Sequence, residues 1–368
     1  MRRRIRLAAA LALAALALAG CAPATASPPA TATVADPALP LSELDLVADP
    51  RAYVGESTAV MADAHVEPVA EDPDQALPAT VISHDAAGES SVDVVDASRV
   101  VAMDLSGSIA ATVWGLGFGD TLVGVDQAVT FPGTEEIPVV TSGGHTVNAE
   151  SVIALRPTLV VTDGSIGPRD VVEQLRDVGI TVVFVANEPS FGGAEQLARD
   201  VAAVYGAPAA GELLAARIGA DVDAKIAEIA EIAPREDKLR MLFLYLRGSA
   251  GVYYLFGEES GADQLIEGLG GVDVAAELGW DGMKPMTDEA MVAADPDLVL
   301  VMSRGIESVG GVDGLLADKP AIALTRAGEH RRFVDMEDGQ ILSFGPRSAL
   351  VLDALARAIY APASGPAS

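Results

Sequence analysis

Two short stretches carry side chains able to hold an iron-bearing ligand. The first is Ser142-Gly143-Gly144-His145, which follows a short apolar run, residues 137–141, that reads as a strand. The glycine pair lets the backbone turn sharply and leaves His145 on the rim of whatever sheet that strand joins. Loops at the carboxyl ends of strands are where open α/β sheets hold ligands. The plainer reading is a surface histidine on a turn. The second stretch is Tyr245-Leu246-Arg247, at the end of a strand expected over residues 238–246. Leu239, Met241, Phe243, Tyr245 and Arg247 alternate onto one face, with Leu242, Leu244 and Leu246 on the other. A strand apolar on both faces belongs in the middle of a parallel sheet. An arginine two positions after a tyrosine can hydrogen-bond the phenol oxygen, and its charge favours phenolate. Phenolate suits ferric iron, and imidazole is a good second ligand. The alternative is that Tyr245 packs at the sheet end and Arg247 pairs with a carboxylate.

The elements that position these groups alternate along the chain. Strands are expected at 100–104, 121–125, 138–141, 157–162 and 180–185, with helices from Ser106 to Leu116, after Asn148, at 169–178 and at 194–205. That rhythm means parallel βαβ units. Asn148 caps a helix with Glu150 in its first turn. Residues 209–232 form one long helical pattern closed by Pro234, too long for an ordinary crossover and read as a rigid link between two lobes. An internal repeat supports two lobes. Residues 148–161 align without a gap, at an offset of 139, with residues 287–300, so that Asn148, Glu150, Pro157 and Leu159 match Thr287, Glu289, Pro296 and Leu298. The expected organisation is a signal peptide at 1–20, a lipidated and largely disordered tether at 21–98, an α/β lobe at 99–208, a linking helix at 209–234 and a second α/β lobe at 235–368.

Composition narrows the function. Lys and Arg number 24 against 53 Asp and Glu, for a formal charge of -29, which repels nucleic acid. Nucleophile-elbow, Walker, dinucleotide and paired-histidine zinc motifs are absent from the sequence. Four histidines, two of them (His65 and His84) in the expected tether, make a multi-histidine metal site a poor fit. Arg2, Arg3, Arg4 and Arg6 precede an Ala/Leu run that ends in Leu18-Ala19-Gly20-Cys21. This resembles the start of a bacterial lipoprotein precursor. The resemblance implies cleavage before Cys21, the chain's one cysteine, and a lipid anchor on it. Loss of the four arginines would take the charge to -33.

From residue 99 to about 362 the chain resembles the class III (cluster A) solute-binding lipoproteins of ABC importers, and within them the haemin-binding subgroup. The resemblance rests on Ser142 to Glu150, on Leu244-Tyr245-Leu246-Arg247-Gly248, on residues 261–271 and on residues 323–332. It implies two Rossmann-like lobes with parallel sheets joined by one long α-helix, and a monomer without catalytic activity. It also implies haemin as the transported ligand, with His145 and Tyr245 as axial ligands from opposite lobes and Arg247 supporting the tyrosine. Glu150 and Glu289 would dock on an ABC permease that works with its ATPase, at the outer face of the cytoplasmic membrane. Ferric siderophores and corrinoids are the alternative ligands of the same family. Trp280, Met283 and Met286 are possible pocket walls or ordinary packing. Arg304 and Arg347 follow apolar segments and are candidates for the haem propionates, and His330 reads as a surface residue.

Overall fold

The computed structural model describes residues 39–362. The basic-apolar leader, Cys21 and the first part of the expected tether lie outside the described residues. The architecture is α/β, with two lobes joined by the helix Pro208–Ile232. Pro208 opens that helix, where its missing N–H costs nothing. Its first half gives Leu214 and Ile218 to the core of the first lobe, and its second half gives Val222 and Ile229 to the core of the second. One rigid rod is therefore part of both cores, which is how it fixes their separation.

The first lobe holds a four-stranded parallel sheet in the order Leu122–Val125, Val100–Met103, Leu159–Thr162, Thr181–Phe184. The strands are Val-rich and buried on both faces, as helices on either side require. The stretch expected as a third strand is smaller than its pattern suggested. Val139 makes only an isolated bridge to Val125, and Thr141–Ser142 pairs with Thr146–Val147 as a separate hairpin.

The second lobe departs from a purely parallel sheet. Its order is Ser57–Ala59, Phe333–Met336, Leu298–Met302, Arg240–Arg247, Val252–Phe256, Met283–Pro285, and Val252–Phe256 runs antiparallel to both of its neighbours. Gly251, in the left-handed region at φ 65°, turns the chain straight back into Val252–Phe256, so a hairpin forms where no crossover helix is available. The face assignment of Arg240–Arg247 stands. Met241, Phe243 and Tyr245 pack into one core, while Leu242, Leu244 and Leu246 pack into another.

Residues 39–98 correct the expectation of a largely disordered tether. Leu41 is fully buried, and its N–H donates to Glu228 of the linking helix at 2.7 Å. Ser57–Ala59 adds a parallel edge strand to the second-lobe sheet. The chain then crosses to the first lobe, where the Val69 N–H donates to the Gly115 carbonyl and the Ala76 N–H to the Gly206 carbonyl. The hairpin Ala79–Asp85/Gly88–Val94 follows, with the Phe184 N–H donating to the buried Ser83 hydroxyl. The segment shows no sustained period because it forms no core of its own. Single apolar residues (Leu41, Met61, Val66, Val81, Val94) fill gaps on surfaces that the two lobes supply.

Candidate functional site

His145 does not sit at the end of a sheet strand. It closes the tight turn of the Thr141–Ser142/Thr146–Val147 hairpin, with Gly143, Gly144 and His145 all at positive φ (28°, 80° and 62°). Such a conformation is uncommon for a residue with a Cβ, so the turn must be held from outside. The hold is Asp126, which sequence reasoning missed. Asp126 follows the strand Leu122–Val125, at the carboxyl end of the sheet, and its carboxylate is fully buried. It accepts from His145 Nδ1 at 2.9 Å, from the Thr141 hydroxyl at 2.7 Å and from the Ala128 N–H at 2.7 Å. A carboxylate on Nδ1 fixes the tautomer and leaves the Nε2 lone pair for a metal, the usual second partner of a metal-bound histidine. The imidazole itself keeps 24% of its surface. The signal that could have exposed Asp126 was its place directly after an apolar strand.

In the second lobe, Tyr245 and Arg247 lie at the carboxyl end of Arg240–Arg247 and are half-buried. The expected hydrogen bond from Arg247 to the phenol oxygen is replaced by stacking, with the guanidinium 4.7 Å from the Tyr245 ring centroid. The Arg247 nitrogens go to Asp338 at 2.7 Å and to the Leu246 carbonyl at 2.9 Å. Of the two readings left open, Arg247 follows the carboxylate-paired one while still lying against the tyrosine. Behind it, Tyr245 stacks on Phe256 and Phe256 on Phe243, which stiffens the ring.

The two lobes meet at these supports. Loop 126–131 of the first lobe touches loop 337–339 of the second, where the Thr130 hydroxyl donates to Glu337 at 3.4 Å. Gly339 lies against the Ala128 carbonyl. Asp126, which holds His145, and Asp338, which holds Arg247, therefore belong to the two loops in contact across the seam. Burial raises the carboxyl pKa of Glu337 above its ordinary value. At the same seam Arg347 is 1% exposed, lies 5.2 Å from the Phe131 ring centroid and has its pKa pushed down by burial to about 10. Its Nη2 reaches only the Gly339 carbonyl, at 3.5 Å, and its Nε and Nη1 have no hydrogen-bond partner among the described residues, so this propionate candidate is enclosed at the seam with unspent donors.

Glu150 and Glu289 are exposed, each in the first turn of a short helix, Ala149–Ala154 or Asp288–Ala294. The Asn148 and Thr287 side chains cap those helices, accepting from Ser151 N at 3.0 Å and Ala290 N at 3.1 Å. Met283 is 62% exposed, and Trp280 and Met286 pack at the edge of the core around Leu242 and Leu244. His65 and His84 are solvent-exposed beside Asp63 and Glu89, while His330 is half-buried against the Arg51 carbonyl. Among the described residues no cluster of three or more His, Cys, Asp or Glu could hold a bare metal ion. No described helix is long and apolar enough to cross a membrane.

The sequence profile of the periplasmic binding proteins matches residues 101–338, and the chain belongs to that family, a family of solute-binding proteins and not of enzymes. Among solved structures it is similar to the "heme binding protein HmuT", at 42% identity and a TM-score of 0.78, over 85% of this chain and 99% of that one. The "periplasmic heme-binding protein RhuT" of Roseiflexus sp. RS-1 is 36% identical with a TM-score of 0.65, over 73% of this chain and 100% of that one. A "cobalamin-binding protein" of Halobacterium salinarum is 28% identical over 292 residues, 78% of this chain and 76% of that protein. An ABC transporter substrate-binding lipoprotein of Bacillus subtilis is also 28% identical, over 67% of this chain and 76% of that one.

Proposed function

We propose that this protein captures haemin between its lobes and delivers it to an ABC permease and its ATPase for haem and iron uptake. His145 binds one face of the iron and Tyr245 the other, and Arg247 supports the tyrosine from above its ring. The observation that carries this reading is the His145–Asp126 pair, an imidazole with Nδ1 engaged by a buried carboxylate and Nε2 left free. The solved forms of the similar heme-binding protein add support, since they include alanine variants of one histidine and of a tyrosine and an arginine two positions apart. Tyr245 and Arg247 have that same spacing. The protein performs no catalysis. Cys21 carries the lipid anchor at the outer face of the cytoplasmic membrane, and Glu150 and Glu289 dock on the permease.

The test is an absorbance titration of residues 22–368, which include every described residue, with ferric haemin, beside His145→Ala and Tyr245→Ala. A saturable Soret change at one haemin per chain, altered in both variants, is expected. A change in only one variant would leave a single protein ligand. The Halobacterium relative's name makes a corrinoid the second reading. Binding of cyanocobalamin with no haemin signal would replace the ligand and keep the transport role.

A further inference from the structure

From Val100 to Val113 the chain is buried throughout, apart from Leu105 and the half-buried Ser106. The one exposed residue of that stretch is thus an aliphatic one, at 50% exposure. Its loop is held so that the side chain stays outside. Asp104 accepts from the Ser106 hydroxyl at 2.8 Å and from the backbone N–H groups of Ser108 at 2.8 Å and Ile109 at 3.2 Å. The Leu105 N–H donates to the Ser165 hydroxyl at 3.1 Å. The leucine therefore projects from a pinned turn at the carboxyl end of its strand, the end at which open α/β sheets take ligands.

The sheet fixes where Leu105 stands relative to His145. Its strand, Val100–Met103, lies between Leu122–Val125 and Leu159–Thr162. The hairpin that carries His145 is anchored just beyond both of those neighbours. After the first, Asp126 accepts from Thr141 and His145. After the second, the Gly167 carbonyl accepts from the Val147 N–H at 2.9 Å. Leu105 rises between the two anchors, and its own partner Ser165 is in the same loop as Gly167. Val101 and Met103 share a core with Val140 and Val147, at the base of the hairpin, and Leu105 is the next position in that alternation. We propose that Leu105 is the apolar floor for the face of the haemin macrocycle that His145 ligates. This rests on the haemin reading above. An imidazole on the iron covers only the centre of that flat, apolar face, and a leucine beside the imidazole sheds its water against the remainder. Leu105 touches the ring and takes no part in iron ligation.

The experiment titrates haemin into the same chain and into its Leu105→Val, Leu105→Ala and Leu105→Asn variants, with the Soret maximum and Tm recorded for each. Asparagine keeps the branched outline of leucine and makes it polar, which separates apolar contact from bulk. Affinity in Leu105→Ala is expected to fall about fivefold, as for half a leucine side chain withdrawn from water. Leu105→Val should lose less, and Leu105→Asn at least as much as Leu105→Ala. The Soret maximum and Tm should stay as in the parent, because the side chain is exposed in the free protein. Parent-like affinity in either Leu105→Ala or Leu105→Asn overturns the assignment and leaves the axial reading intact. A loss accompanied by a Soret shift toward that of His145→Ala also overturns it, since Leu105 would then act through the hairpin. A parent that binds no haemin overturns both readings.

Discussion

The Ala128 carbonyl of the first lobe and the Cα of Gly339 in the second approach so closely that a Cβ at position 339 would lie 2.4 Å from that oxygen. Only glycine fits there, and the contact joins the loop that begins at Asp126 to the loop that contains Asp338. Gly339→Ala forces one of the loops to shift, a strain of about 1–3 kcal/mol. The expected result is a lower Tm together with weaker haemin binding, since both supports move. Calorimetry and a haemin titration on the same variant check it. A Tm drop with unchanged haemin affinity would separate the seam from the site.

Asp126→Asn keeps an acceptor but places an N–H₂ and a weaker dipole where the carboxylate oriented His145. Loss of such a partner weakens metal affinity by about 10–100-fold. Haemin affinity should fall toward that range, and the Soret band should move toward that of His145→Ala. Parent-like binding would show that the hairpin turn alone positions the imidazole.

Asp104 follows the strand Val100–Met103 and is 1% exposed. Burial, with the neighbouring Asp163 carboxylate adding to it, raises its pKa from 3.8 to about 7. An acid with a raised folded-state pKa binds more protons folded than unfolded between those values. Its contribution to stability is therefore lost as pH rises from about 4 to about 7 and is flat above. Denaturant titrations across that window should show a falling component that Asp104→Asn removes. An identical pH slope in the variant would assign the effect to other groups.

Leu41 tests whether residues 39–98 belong to the folded unit. It is 0% exposed and seated against the linking helix and the helix Ser348–Tyr360. Leu41→Ala is expected to cost about 2–5 kcal/mol of unfolding free energy, as for other buried leucines. A loosely attached segment would give no measurable change in the denaturant midpoint.

Glu150→Ala and Glu289→Ala remove exposed side chains, so haemin affinity and Tm should match the parent. Stimulation of a permease–ATPase complex reconstituted in nanodiscs should fall for each and be nearly lost in the double variant. Normal stimulation by the double variant would sink the docking role.

The sequence by itself determined the alternation of strands and helices, the long joining helix and the offset repeat that places Asn148 opposite Thr287, and it singled out His145, Tyr245 and Arg247 as candidates. Those features are periodic or local, and their physics is written in neighbouring residues. Tertiary structure alone decided the rest. Asp126 lies nineteen positions from His145 and Asp338 ninety-one from Arg247, so neither pair has a local signature. Arg304 and Arg347 look alike in sequence, each an arginine near the end of an apolar stretch. Packing against Phe131 and Gly339 buries Arg347, while Arg304 keeps its side chain in water. The segment 39–98 looked unstructured for the same reason. Its order comes from apolar gaps and free strand edges on two lobes far away in the chain, and no window of its own residues contains them.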